Sequence, residues 1–179
     1  MNKKDILRNL KNIAYFIFRI GEFRIKYIRN FAKGIKNKKI LEIGSGKKYK
    51  GYYYYSTKRF FNKSNEFIQS DINPRYGHKL IDVTKMNYKN EFDSIICMCV
   101  LEHIYDFHKA IKNMYKALKP NGNVIISIPL LYPLHDEPHD YWRFTEHSIR
   151  KLFKDFKKTD IKYSGIRPYP FIYYIKAIK

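Results

Sequence analysis

The stretch that most constrains this chain is a short apolar run ending in a tight glycine turn, Lys39-Ile40-Leu41-Glu42-Ile43-Gly44-Ser45-Gly46. It reads as a buried strand with a carboxylate near its end, followed by two residues without a Cβ. Such a turn lets the backbone reverse sharply and lets a ligand approach the main chain. At the carboxyl end of a strand in an open α/β sheet, this is where nucleotide-like ligands are held. The turn is a weak signal alone and gains its weight from the order of the segments downstream.

Glu66-Phe67-Ile68-Gln69-Ser70-Asp71 is a second strand that ends in an acid, 25 residues beyond Gly46. That is close to the spacing of a carboxylate that grips ribose hydroxyls, because an ionised carboxylate can accept from both vicinal hydroxyls. Lys79-Leu80-Ile81 forms a short strand leading to Asp82, with little room for a helix before it. Phe92 to Val100 is almost continuously apolar, as expected of a parallel strand buried on both faces. Leu101-Glu102-His103-Ile104 comes next, then a helix through Lys119, a Pro120-Asn121-Gly122 turn and a further buried strand, Asn123 to Ile128, stopped by Pro129. A polar and aromatic loop, Leu130 to Phe144, precedes a helix capped by Thr145 and running to about Asp155. Strands near Lys158–Ser164 and Phe171–Ile178, joined by Gly-Ile-Arg-Pro-Tyr-Pro, are expected to pair as an antiparallel hairpin. The alternation of strands and helices predicts a mostly parallel sheet with helices on both faces.

Residues 3–35 lack proline and carry apolar residues at helical steps, with a separate face of Lys and Arg. One basic amphipathic helix, or two broken near Gly21, is expected over residues 1–36, ahead of a single domain over 37–179. The uncharged run Asn12–Phe18 is far too short to span a bilayer. This segment could lie on an anionic membrane surface, cover the ligand site, dock a partner or simply pack on the sheet. The net charge of +20 has two readings. One is a polyanionic partner such as RNA or an acidic membrane. The other is codon bias, since Lys, Ile, Asn, Tyr and Phe are all abundant and Lys greatly outnumbers Arg. Cys97 and Cys99 form no second pair, so a disulfide or a zinc site is not expected and a cytoplasmic compartment is the default.

Four stretches in this order, Leu41-Glu42-Ile43-Gly44-Ser45-Gly46, Asp71, Phe92-Asp93 through Leu101-Glu102-His103, and Leu118-Lys119-Pro120-Asn121-Gly122, make the chain resemble the small class I S-adenosylmethionine-dependent methyltransferases. A further segment, Pro133-Leu134-His135-Asp136-Glu137-Pro138-His139-Asp140-Tyr141-Trp142-Arg143-Phe144-Thr145, is similar to that of a narrower subgroup often linked to cell-surface polysaccharide and glycan biosynthesis. The resemblance implies a Rossmann-like methyltransferase fold, an α/β sheet of seven strands, mostly parallel, whose last strand is antiparallel. It implies S-adenosyl-L-methionine as cofactor. Glu42, Gly44, Ser45 and Gly46 would face its methionine part, and Asp71, with Ile72 beside it, the ribose. Asp82 and Val83 would meet the adenine, and Cys99 and Val100 the methyl-bearing sulfur. Lys47-Lys48 stand where the family often has a third glycine. A dehydrogenase would want G-x-G-x-x-G, but Tyr occupies position 49.

Transfer to a hydroxyl calls for a base, for which the candidates are His103, His135, His139 and Asp140; Tyr141 and Arg143 are candidates for holding the acceptor. For Tyr141–Phe144 the alternative is a packed aromatic knot in which Arg143 stacks or pairs with an acid. Metal binding is not expected: His135 and His139 have the spacing of a helical pair, but Pro138 interrupts a helix and no third ligand is evident. The expected reaction is O-methylation of a sugar, glycan or related small molecule. RNA methylation and a non-catalytic cofactor-binding module are the alternatives, and peripheral membrane attachment through the basic helix is compatible with each.

Overall fold

A computed structural model describes residues 22–49, 52–53 and 55–179, the side chains of 48–54 excepted. Most of the expected amino-terminal helix, with its break at Gly21, lies outside the described residues. Residues 22–32 are helical (α1). Then come β1 (Lys39–Ile43), the two-residue strands β2 (Lys48–Tyr49) and β3 (Tyr52–Tyr53), β4 (Glu66–Asp71), β5 (Lys79–Leu80), β6 (Phe92–Met98), α2 (Phe107–Ala117), β7 (Leu118–Pro129), α3 (Glu146–Leu152), β8 (Lys158–Ile166) and β9 (Tyr169–Ile178).

Seven strands form one sheet in the order β5-β4-β1-β6-β7-β9-β8. β5, β4, β1, β6 and β7 run parallel, and β9 is antiparallel to both β7 and β8, so the last strand alone is reversed. This is the mostly parallel Rossmann-like sheet that the sequence predicts. β1 sits between β4 and β6, which makes the gap between the carboxyl ends of β1 and β6 the point where strand order reverses. In open α/β sheets that crevice holds the ligand.

Alternation along the strands sends side chains to two separate cores. Leu41, Ile43, Ile95, Cys97, Val124 and Ile126 face α2 and α3, packing with Ala110, Met114, Ile149 and Phe153. Ile40, Ile96, Met98, Ile125 and Tyr174 face the other way, onto Ile28 and Ala32 of α1. The rings of Phe23 and Tyr27 each stand 5.0 Å from that of Tyr174, so this part of the basic helix packs on the sheet. Its inward positions, Ile28 and Ala32, are four apart, one turn of helix.

Local differences from the sequence expectation have simple causes. The sequence suggests a helix over residues 56–62, but the segment forms only a 3-10 turn, Lys58–Phe60, with Ser56 and Thr57 drawn toward Glu42. Pro120-Asn121-Gly122 belongs to β7, which enters the sheet early through a register shift opposite Phe92 and Ser94, with Asn121 at φ 62°. Thr145 caps α3 as expected by accepting from the Ser148 amide, although the helix stops at Leu152. No helix among the described residues is long and apolar enough to cross a membrane.

Candidate active site

A cavity of about 1010 Å³ opens at the switch point. One half is built by the carboxyl ends of β1 and β4 and by the residues after β5; it is lined by Ile43, Gly44, Gly46, Asp71, Ile72, Asp82 and Val83. The other is built by the 3-10 turn Leu101–His103 and the loop before α3; it is lined by Glu102, His103, His135, Asp136, His139 and Tyr141. Cys99 and Val100, just past β6, line the passage along with Met98, and Arg24 and Ile25 of α1 also face the space.

The first half depends on the glycine turn. Gly44 and Gly46 have φ of +72° and +73°, where a side chain is strained. A Cβ on Gly44 would lie 2.4 Å from Val100 Cγ2, and one on Gly46 2.8 Å from the Tyr55 ring. Glu42 and Ser45 lie behind the turn rather than on the cavity wall. The Glu42 carboxylate accepts from Ser45 Oγ (2.7 Å), Ser56 Oγ (2.5 Å), Thr57 N (2.6 Å) and Thr57 Oγ1 (2.6 Å). It therefore ties the turn to the segment that comes back over it. Asp71 accepts from the Gly46 amide (2.9 Å) and the Asn73 amide (3.0 Å), one bond to each oxygen. Asp82 Oδ1 accepts from the amide and hydroxyl of Thr84. Burial pushes the Asp82 carboxyl upward, but these bonds and the charge of Lys85 prevail and hold it below the usual carboxylate range.

The second half is held by main chain. The Tyr141 and Trp142 amides both donate to the Glu102 carbonyl, at 2.9 and 3.2 Å. The loop is also closed on itself by a fork: Arg143 donates to Asp140 at 2.6 and 2.7 Å and to the carbonyls of Tyr132 and Pro133. Asp140 Oδ2 accepts the His135 amide as well. The side chain of Asp140 is 1% exposed, and the Arg143 guanidinium holds its carboxyl far below the usual range. Asp140 and Arg143 thus stand outside the cavity lining, fastened to each other, while Tyr141 lines it. Phe107 packs at 5.1 Å from Trp142 and 5.0 Å from Phe144, which completes the aromatic knot beneath the loop.

This fastening gathers three histidines. His103 Nδ1 bonds to the His139 carbonyl (2.9 Å), His135 Nδ1 to the Pro133 carbonyl (3.1 Å), and His139 Nδ1 to the Tyr141 hydroxyl (2.7 Å). The rings of His103 and His135 meet edge to face at 4.8 Å. Between them lies Glu102, which sequence reasoning passed over in favour of the neighbouring His103. It is 0% exposed, and neither carboxylate oxygen has a hydrogen-bond partner among the described residues. Burial pushes its pKa up to about 8, Asp140 and Asp136 adding to the effect, while the residue's own main-chain amide, too poorly placed for a full hydrogen bond, and the charge of Arg143 oppose it. The available signal was a Glu just after a fully buried strand, where the first turn must point inward.

Cys99 has φ +53° and places Sγ 3.2 Å from Ser127 Oγ. Burial pushes its thiol up to about 12, so it serves as a neutral wall.

The residues of the first half fit S-adenosylmethionine. They offer a main-chain cradle at the switch point, carboxylates at Asp71 and Asp82 that each keep lone pairs, and a passage to a second chamber. A family model described as a methyltransferase domain matches residues 15–157. Among curated proteins, a tRNA U34 carboxymethyltransferase from Nautilia profundicola is 28% identical over 69% of this chain and 50% of its own length. A ubiquinone biosynthesis O-methyltransferase from Proteus mirabilis is 25% identical over 62% of the chain and 50% of its own. The chain thus spans about half the length of these relatives. A Burkholderia thailandensis 1,6-didemethyltoxoflavin-N1-methyltransferase, solved with S-adenosylhomocysteine, superposes with a TM-score of 0.63 at 15% identity, over 98% of this chain and 88% of that one. Strand order, switch-point cradle and family match agree: the chain belongs to the class I S-adenosylmethionine-dependent methyltransferase family.

Proposed function

We propose that this protein transfers a methyl group from S-adenosylmethionine to an oxygen of a small molecule, a sugar or glycan hydroxyl being the leading class. The observation that carries this reading is the cavity that joins the Gly44–Gly46 cradle to three imidazoles through the Cys99–Val100 passage. Bound in the cradle, the cofactor supplies an electrophilic methyl carbon. Asp71 would hold the ribose, Asp82 and Val83 the adenine, and the Gly44–Gly46 main chain the methionine end. Cys99 and Val100 would keep water from the reacting atoms. His103 and His135 have Nδ1 bonded to carbonyls, so each presents Nε2 to the chamber as a base for the acceptor hydroxyl proton. His139, bonded to the Tyr141 hydroxyl, would orient the acceptor at the mouth.

Calorimetry with S-adenosylhomocysteine tests the cofactor half. Asp71→Ala should weaken binding by about a hundredfold, as expected for a charge-assisted bidentate contact together with the loss of support for Gly46. Unchanged affinity would remove Asp71 from the site. Release of S-adenosylhomocysteine, monitored over a panel of hydroxylated acceptors, then tests the acceptor class.

A second reading, RNA as acceptor, draws support from the net charge of +20 and from the tRNA-directed name of the Nautilia relative. RNA binding whose affinity falls steeply with salt would favour it. Attachment to an anionic membrane through the basic amino-terminal segment is compatible with either acceptor.

A further inference from the structure

Glu102, His103 and His135 form a cluster whose geometry a base and a positioning residue leave unexplained. Glu102 Oε1 lies 4.0 Å from His103 Nε2 and 4.0 Å from His135 Nε2, and the donor atoms of the three residues all fall within 4.8 Å of one another. None of these separations is a hydrogen bond. A triangle of that size leaves a central point roughly 2.5 Å from each atom, against about 2.0–2.2 Å for imidazole or carboxylate ligands to a zinc-like ion. An inward movement of about half an ångström closes the difference.

Two further features are those of a ligand set. Each imidazole has its Nδ1 fixed by a carbonyl, His103 by His139 and His135 by Pro133, which sets the tautomer and turns Nε2 to the centre. That outer bond is the usual companion of a metal-bound histidine. The carboxylate between them has no hydrogen-bond partner among the described residues, although it is fully buried, and an unpaired buried acid is costly unless it meets a cation. Asp136 adds negative charge on the outer side: its Oδ2 lies 4.0 Å from His103 Nε2 and its side chain is 81% exposed.

We propose that Glu102, His103 and His135 bind one divalent first-row transition metal ion at the acceptor end of the cavity. Two imidazoles and one carboxylate suit manganese, iron, cobalt or zinc rather than calcium or magnesium, which prefer oxygen ligands throughout. Three protein ligands leave positions open toward the chamber; with both Nε2 atoms committed to the ion neither imidazole acts as the base, and the ion would instead hold an oxygen of the bound molecule and ease loss of its proton to solvent. An acceptor that offers two neighbouring oxygens, such as a vicinal diol or a hydroxy acid, fits such a position. That last step rests on the methyl-transfer reading; metal binding itself does not.

The test uses the whole chain without cofactor. Titration with Co2+, monitored by visible absorption and calorimetry, should show one equivalent bound with ligand-field bands of a low-symmetry nitrogen and oxygen site. Glu102→Gln and His135→Asn should each weaken binding at least tenfold, while His147→Ala, on α3 outside the cavity, should not. His135 stands on a loop, so its variant keeps the test alive if Glu102→Gln fails to fold, as judged by circular dichroism. No binding, or binding unchanged in every folded ligand variant, overturns the proposal. Parallel calorimetry with S-adenosylhomocysteine separates the two readings: cofactor binding without Co2+ binding sinks the metal site alone, and the reverse sinks the methyltransferase reading alone.

Discussion

The two halves of the cavity treat their acids in opposite ways. On the cradle side Glu42 receives four hydrogen bonds and Asp71 two, all from groups brought in by neighbouring turns. On the acceptor side Glu102 is just as deeply buried and receives none from the described residues. A buried carboxylate surrounded by donors fixes a backbone; one left without them stores free energy that a ligand can release. The difference marks Glu42 as part of the scaffold and leaves Glu102 as the acid whose bonding capacity is unused among the described residues, although both lie in or just after a buried strand.

Breaking the scaffold should give the largest effect. Glu42→Ala leaves the hydroxyls of Ser45, Ser56 and Thr57 and the Thr57 amide without their acceptor, and a loss of about 3–5 kcal/mol in denaturant unfolding is expected. A loss under about 1 kcal/mol would show that the network is dispensable. Asp93 gives a smaller effect that depends on pH. It caps the opposite ends of the same strands, accepting from the Lys39 amide (2.9 Å) and Lys119 Nζ (2.8 Å). Its carboxyl is buried enough to be pushed upward, yet the Lys119 and Lys39 contacts prevail and lower its pKa. A group depressed in the folded state stabilises above its unfolded value, near 4, and that contribution is lost as pH falls below it toward the folded value. Asp93→Asn should therefore cost roughly 1 kcal/mol at pH 7 and less at pH 3, read from urea midpoints at the two values. The smallest effect is expected at Glu102. Glu102→Gln removes an unpaired buried acid without changing its shape, and stability at pH 7 should hold or rise by about 1 kcal/mol. A large loss there would abolish the contrast between the halves.

The cradle half was legible because its information is local. A strand, two glycines and an acid at a set spacing specify a turn and its neighbour, and the order of later strands specifies their placement. What spacing could not show was that Glu42 lies behind the turn, bonded to Ser56 and Thr57, since that depends on those residues returning from fourteen and fifteen residues away. The acceptor half was legible only as a set of residue types. His103, His135 and His139 were visible as imidazoles, and the pairing of Arg143 with an acid as one of two options. Their convergence depends on amides 39 and 40 residues beyond Glu102 meeting its carbonyl, and a carbonyl leaves no trace in the choice of amino acid. For the same reason Glu102, which the fold sets beside His103 and His135, went unseen.

That carbonyl has an evolutionary consequence. Because the loop bearing His135 docks on the main chain of Glu102, any residue at this position would offer the same anchorage. The side chain is released from architectural duty and can be exchanged as the acceptor changes, while the loop keeps its seat. A lineage could in this way explore new substrates at one position without first paying in folding.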